Sequence, residues 1–460
     1  MTAITLLEWS QAGPVMVEAT QMALLKRECD ALALGDRLRI SPGFDGLRVE
    51  STSFVGRIDV GPLRIAVNPK LQGAPLARLL RYAYSLDELS AMPPDTALDV
   101  EAGGLQDLLI ELLLDELESV WLLGLPKAYR KTTAELPVLR GRIRTEVLWR
   151  RGVLAGASLP CEYYERTQDW HLNRVLRTGL DLARQLSTRP AQCRRVDQVI
   201  GWFGPLRLLR PFGPEQVAEA RADLTRMTSH AAPALELIRL LVEGVGIGFD
   251  GSQQRRGTSF LFDMNRFFQE LVSRFLHDNL DGYKVVDEAV LRGMYSPDIT
   301  GRPRRPPAPR PDFAVIHREG RVANYLDAKY RDLWVKPLPA DWLYQLTAYA
   351  LASPSGSATI VYPTMSDDAR PESIGVNDPV SRRPLGRVLL KPVLLPELSA
   401  LVLDRSAAAA HQKRRIAAEL AGMPAEESRN VSSSISAEPA SRSLFPKRSG
   451  LPSSRTQPAN

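Results

Sequence analysis

The spacing of apolar residues changes character three times along the chain. Up to about residue 95, short alternating runs at 47–49, 54–60 and 63–67 are punctuated by Gly43, Gly46, Gly56, Gly61 and Pro62. Period-two alternation broken by Gly and Pro predicts strands, and the turn residues at 59–62 predict a hairpin over 55–67. A helix follows, with Leu76, Leu79, Leu80 and Ala83 on one face. From 96 to about 250 the period becomes helical. Leu105, Leu108, Leu109, Leu112, Leu113 and Leu117 keep it, and helices are predicted over 172–186 and 234–242, the second behind Pro233. Two passages, LPVLRGRIR at 136–144 and LPCEYYERTQD at 159–169, keep neither period and are expected to be irregular. Gly244, Gly246, Gly248 and Gly251 then mark a boundary.

Beyond 258, helix and strand alternate. Met264, Phe267, Phe268, Leu271, Val272, Phe275 and Leu276 form a full helical stripe behind Asp263, a predicted N-cap. Strands are predicted over 284–290, 313–316, 322–326 and 359–362, and a helix over 340–351. After Asp404 a basic helix, 407–420, runs into a Ser/Pro/Arg-rich tail expected to be disordered. The fold class is therefore α+β multidomain. It comprises a β-rich module (1–95), a mainly helical connector (96–250), an α/β domain (251–404), and a basic helix with tail (405–460).

Composition removes several function classes. With 460 residues, 44% hydrophobic and 24% charged, the chain is globular. No apolar run reaches the ~18 residues of a membrane span, so no membrane partner is expected. Three cysteines, far apart, and five histidines argue against a disulfide framework and a zinc site and favour a cytoplasmic location. The net charge of +6 lies largely beyond Ser406, so it says little about nucleic acid binding by the fold. The Gly-rich segment lacks a G-x-x-x-x-G-K-[ST] pattern.

The chemistry concentrates in RPDFAVIHREGRVANYLDAKY, residues 310–330. Two apolar runs flank a turn at Gly320, which predicts an antiparallel hairpin. Asp312 opens its first strand, and Asp327 and Lys329 end the second on one face. Two carboxylates and an ammonium at one sheet end suit a hard cation such as Mg²⁺, which takes carboxylates plus water and phosphate oxygens. Such a cation activates water and stabilises a leaving oxygen, while a lysine neutralises developing charge. A neighbouring helix offers Gln345 and Tyr349 one turn apart. Arg302, Arg304, Arg305 and Arg310 are read either as phosphate contacts or as a solvated loop. Arg140, Arg142 and Arg144 are read as a nucleic-acid path or an exposed strand face. Asp169 and Asn173 are expected to cap a helix start, and Trp334 and Trp342 to pack.

This pattern resembles the PD-(D/E)xK nuclease superfamily, with Pro311-Asp312 and Asp327-Ala328-Lys329 as its two core motifs. More narrowly, the stretch from about 54 to 363 resembles the McrC family, the nuclease subunit of GTP-driven, modification-dependent restriction systems. The blocks that carry the likeness are FVGRIDVGPLRIAVNPKL, LRGRIR, CEYYERTQDWHLNR, DMNRFFQELVSRFL, RPDFAV, LDAKY, the Gln345/Tyr349 helix and VYP. The resemblance implies a PD-(D/E)xK domain over 251–404 and a Mg²⁺-dependent endodeoxyribonuclease. It implies metal ligation by Asp312, Asp327 and the Ala328 carbonyl, Lys329 as catalytic lysine, and Gln345 as an orienting group. Where the family often carries Glu after the Phe of the Met-x-x-x-Phe helix, this chain has Gln269, with Glu270 one step on. A one-residue step turns a helical side chain by ~100°, so Gln269 is the candidate metal-site residue and Glu270 is expected to point away. The implied partners are modified, 5-methylcytosine-type DNA and an AAA+ GTPase of McrB type, the latter docking on 1–95 through the tip of the 55–67 hairpin. Rival expectations are a non-catalytic adaptor of an AAA+ partner and a stand-alone repair or phage-defence nuclease.

Overall fold

Alternation in the first section resolves into two sheets. The computed structural model describes residues 2–16, 34, 37–43, 46–86, 104–151, 158–245, 259–295 and 308–423. Strands β1 (Thr2–Leu7), β2 (Gln11–Val15), β3 (Leu38–Gly43), β4 (Gly46–Ser51), β5 (Phe54–Val60) and β6 (Leu63–Asn68) precede helix α1 (Gly73–Ala83). The small sheet has the order β2-β4-β3. β5 and β6 form the predicted hairpin, with Val60 opposite Leu63, and β1 runs parallel to β6. The hairpin has no protruding tip: Val60 and Leu63 are fully buried.

The second section contains α2 (Gly104–Leu123), β7 (Ala128–Leu136), β8 (Arg142–Ile143), α3 (Thr145–Arg151), β9 (Leu159–Thr167), α4 (His171–Leu186), α5 (Pro190–Trp202), α6 (Pro214–Ala222) and α7 (Ala232–Val245). The leucines of α2 are buried, as are Leu172, Val175, Leu176 and Leu180 of α4. The passages expected to be irregular are in part a sheet. β9 pairs antiparallel with β7 from Ala128↔Thr167 to Leu136↔Leu159, and β8 adds to its other edge. This arm escapes sequence patterning because little of it meets a core. Its pairing is supported by cross-strand contacts instead, such as Lys131 to Glu162 at 2.8 Å and Arg140 over the Tyr163 ring at 4.2 Å. Asp169 and Asn173 do not cap α4. Asp169 forms a bidentate pair with Arg174 at 2.7 and 2.9 Å, and Asn173 donates to the carbonyls of Pro126 and Gln168.

The third section opens with β10 (Phe260–Asp263), which completes the first sheet, order β1-β6-β5-β10. A boundary at 251 thus places a strand of the first sheet with the last domain. The close approach of β10 explains Gly56, whose φ is +137° and where a Cβ would lie 2.2 Å from the Phe260 carbonyl oxygen. Helix α8 (Met264–Asn279) buries the predicted stripe, and Asp263 caps it by accepting from the amides of Asn265 and Arg266. The remaining elements are β11 (Tyr283–Asp287), β12 (Phe313–His317), β13 (Val322–Ala328), α9 (Ala340–Ala352), β14 (Ser357–Thr364), β15 (Glu372–Asn377), β16 (Pro384–Leu394), α10 (Leu395–Leu401) and α11 (Ala407–Leu420). They build a mixed sheet, β11-β12-β13-β14-β16-β15, with β13, β14 and β16 parallel. Its faces bury alternate residues: Phe313 and Val315 join the core that holds α8, Ala314 and Ile316 the one that holds α9.

The basic helix is not an appendage. Ala409, Ala417, Ala418 and Leu420 of α11 are buried, and Asn324 Nδ2 donates to the Ala421 carbonyl at 2.9 Å. The α/β unit therefore extends past 404. The expected disordered tail beyond 423, Arg302, Arg304, Arg305, and Gly246, Gly248 and Gly251 lie outside the described residues. Among the described residues no helix is long and apolar enough to cross a membrane.

Candidate active site

Hairpin register assembles the site. Phe313 pairs with Leu326, so Asp312, just before one strand, meets Asp327, just inside the end of the other. Asp312 Oδ2 accepts the Ala328 amide at 2.7 Å, and its Oδ1 accepts Gln269 Nε2 at 3.3 Å. Lys329 Nζ lies 2.8 Å from Asp327 Oδ2. The ammonium is within donor distance of that oxygen, and its charge offsets part of the cost of burying the carboxylate. From α9, Gln345 Nε2 donates to Tyr349 Oη at 2.8 Å. The Tyr349 hydroxyl is held above its ordinary pKa by burial and then by the Asp327 and Asp312 charges. Gln345 thus contacts Tyr349, whose hydroxyl senses the acidic charges.

Burial dominates the electrostatics. Asp327 is 1% exposed, and desolvation pushes both carboxyls above the usual carboxylate range; the Asp327 charge raises Asp312 further. Burial disfavours the Lys329 charge, but Asp327 and Asp312 outweigh it and hold the ammonium above its ordinary pKa. Two buried carboxylates this close, both pushed toward their neutral forms, fit a hard divalent cation, which would relieve the repulsion. Among the described residues no three His, Cys, Asp or Glu side chains converge for a metal. A cation here would take its other ligands from backbone, water and substrate, as Mg²⁺ does.

The helix step separates Gln269 from Glu270. Gln269 faces Asp312, whereas Glu270 is exposed and senses Arg266, Arg239 and Glu236. Arg310 is engaged in an ion pair with Glu288. Trp342 borders the site, its ring 5.6 Å from Lys329 Nζ. Sequence reasoning missed what lies just beyond. Tyr330 donates to Glu8 at 3.0 Å across 322 positions, and Arg331 and Lys336 both approach Trp9. Glu8 and Trp9 sit in a turn after β1 that carries no motif, and no local signal points to them.

The fold and site thus define a mixed α/β protein with paired acidic groups and a lysine at the end of a central hairpin. The chain belongs to the McrBC 5-methylcytosine restriction system component family, whose profile matches residues 49–363. Its fold is similar to that of a chain in an assembly of Thermococcus gammatolerans McrB AAA+ hexamers with bound McrC. The two are 17% identical, with a TM-score of 0.61 over 90% of this chain and 99% of that one. A chain of the Thermococcus gammatolerans McrBC complex aligns with a TM-score of 0.42 at 19% identity, over 60% of this chain and 87% of that one. No curated protein sequence matches significantly.

Proposed function

We propose that the chain is the nuclease subunit of a modification-dependent restriction system, a PD-(D/E)xK endonuclease that hydrolyses DNA phosphodiester bonds with Mg²⁺ under control of an AAA+ GTPase. The observation that carries this reading is the convergence of Asp312, Asp327 and Lys329 at the end of β12 and β13. Asp312, Asp327 and the Ala328 carbonyl would hold the cation. When bound, it supplies charge neutralisation at the phosphodiester and acidifies water. Asp312 is oriented by the Ala328 amide and Gln269. Lys329, kept charged by Asp327 and Asp312, stabilises charge developing on the phosphate. Gln345 and Tyr349 orient groups on the α9 side.

The relative seen with McrB AAA+ hexamers supports assigning a similar partner here. Docking through the 55–67 hairpin is disfavoured by its burial. The β7–β9 arm suits the role better, with Val138, Leu139, Trp149 and Tyr164 exposed on and around it. Incubating plasmid DNA, methylated and unmethylated, with the full chain tests the proposal. Cleavage is expected to require Mg²⁺ and to rise with a co-encoded GTPase and GTP. Cleavage undiminished in EDTA would overturn it.

A further inference from the structure

Beyond the acidic group, a row of cations and indoles leads away from Lys329. Lys329 Nζ lies 5.6 Å from the Trp342 ring, and Arg331 Cζ lies 6.0 Å from the same ring. Arg331 Cζ is also 5.8 Å from the Trp9 ring, as is Lys336 Nζ. The row ends in a cleft of about 380 Å³ between the small sheet and the α/β unit, lined by Trp9, Arg39, Glu50, Thr52, Arg331 and Lys336.

We propose that this cleft binds the phosphates of the DNA strand flanking the scissile bond, with Arg331, Lys336 and Arg39 as its cations. The inference rests on the nuclease reading above and extends it to substrate positioning.

Three observations carry it. The first is charge. Lys336 is held below its ordinary pKa by burial and then by the Lys70 and Arg331 charges, with Glu50 opposing. Three cations, Arg39, Arg331 and Lys336, line the cleft against one lining carboxylate, Glu50. Glu50 is spread between this cleft and Arg39, 3.9 Å away. The Asp332 carboxylate accepts from the Trp334 and Val335 amides and the Thr364 hydroxyl, and Glu8 is turned to Tyr330 and the Lys70 amide. Among the described residues Arg331 has no carboxylate partner. A phosphodiester supplies the missing charge.

The second is hydrogen bonding. Trp9 Nε1 and Arg331 Nε are both buried with no acceptor among the described residues. Such orphan donors are costly, and both belong to side chains that line the cleft. The third is conformation. Trp9 has a φ of +57°, uncommon for a bulky residue. Lys336 Nζ holds its carbonyl at 2.7 Å, so this strained turn keeps the indole between Arg331 and Lys336. Contacts of this kind fix register and carry no sequence information, which leaves recognition of the modification to another part of the system.

The test measures binding of a labelled 20-base-pair duplex to the full chain by fluorescence anisotropy, with Ca²⁺ replacing Mg²⁺. Lys336→Gln and Arg39→Gln should each weaken binding about 3- to 10-fold and reduce the slope of log K against log salt by about one. Lys336→Arg should retain most affinity. Arg321→Gln, an exposed cation at the far turn of the hairpin, should change neither quantity. Arg39 is itself largely exposed, so its variant decides the matter if Lys336→Gln melts early. Wild-type binding with both variants unchanged in affinity and slope would overturn the inference and leave the nuclease reading standing. A wild-type chain that binds no duplex would remove the nuclease reading, and the inference with it.

Discussion

Tyr330 donates its hydroxyl to Glu8 Oε1 at 3.0 Å, and both residues are buried. Lys329 therefore precedes a residue anchored to the turn that follows β1, and the Lys70 amide grips the same carboxyl oxygen at 2.9 Å. The first module and the α/β unit meet at one buried carboxyl, so the module braces the site rather than hanging from it.

That carboxyl predicts a pH dependence. Burial pushes Glu8 from about 4.5 up to about 7 despite the Lys70 amide and the Tyr330 hydroxyl. Its folded pKa is raised, so its contribution to stability is complete below about pH 4.5 and is lost as pH rises through about 7. The loss is on the order of 3 kcal/mol. Glu8→Gln keeps an acceptor for both donors and cannot ionise. Thermal melts from pH 5 to 8 should show the wild type losing stability relative to Glu8→Gln as pH rises. Parallel curves would refute the buried, protonated Glu8.

A second prediction separates catalysis from stability at Asp312. In Asp312→Asn the amide oxygen still accepts from the Ala328 N–H, while the repulsion with Asp327 disappears. Melting temperature in EDTA should hold or rise. Cleavage should fall at least about 100-fold, the scale of losing one preorganised electrostatic group. Mg²⁺ should raise the melting temperature of the wild type and leave the variant unmoved. A variant that still cleaves at near wild-type rate would remove Asp312 from the site.

How much of this was legible in the sequence depends on where each element's apolar residues go. Stripes facing one core read cleanly: α8, from Met264 to Leu276, and the hairpin from Phe313 to Ala328 are where the periodicity puts them. The β7–β9 arm was not legible, because Tyr129, Tyr164 and Val138 are exposed and no buried face imposes alternation on it. β15 and β16 were also unread, with Gly375, Pro384 and Gly386 interrupting their pattern. The acidic group and lysine could be placed together because all three lie within one hairpin. The Trp9, Arg331 and Lys336 cleft could not, since a contact across more than 300 positions leaves no local trace.

The third prediction concerns the arm. Trp149 is 84% exposed and Val138 is 73% exposed, so neither stabilises the folded chain much. Trp149→Ala with Val138→Asp should leave melting temperature and duplex binding within error. Affinity for a co-encoded AAA+ GTPase should drop at least tenfold, the scale of losing one interface hot spot. Full co-purification and full GTPase stimulation by the double variant would move docking elsewhere on the connector.

Truncation after Asp404 makes a fourth test. It removes α11, exposing the face of α8 on which it packs and orphaning Asn324 from the Ala421 carbonyl. Lost burial of several side chains and a buried amide bond should together cost several kcal/mol. The shortened chain should melt well below the full one or fail to accumulate. Equal stability would show that the unit ends where the sequence boundary was drawn.

Gln269 offers the most demanding prediction. Its Nε2 faces Asp312 Oδ1 at 3.3 Å, so Gln269→Glu sets a third carboxylate against two that already resist ionisation. Without a cation the three repel, and the variant should melt below wild type in EDTA, with a gap that widens as pH rises. A bound cation reverses the sign, because Mg²⁺ gains a hard oxygen ligand and cancels the repulsion. The Mg²⁺ concentration for half-maximal thermal stabilisation should fall several-fold below that of wild type. Glu270→Gln, one step around the helix, should shift neither quantity. A Gln269→Glu protein destabilised equally with and without Mg²⁺ would show that the acidic group does not hold the cation, whatever its resemblance to a nuclease centre.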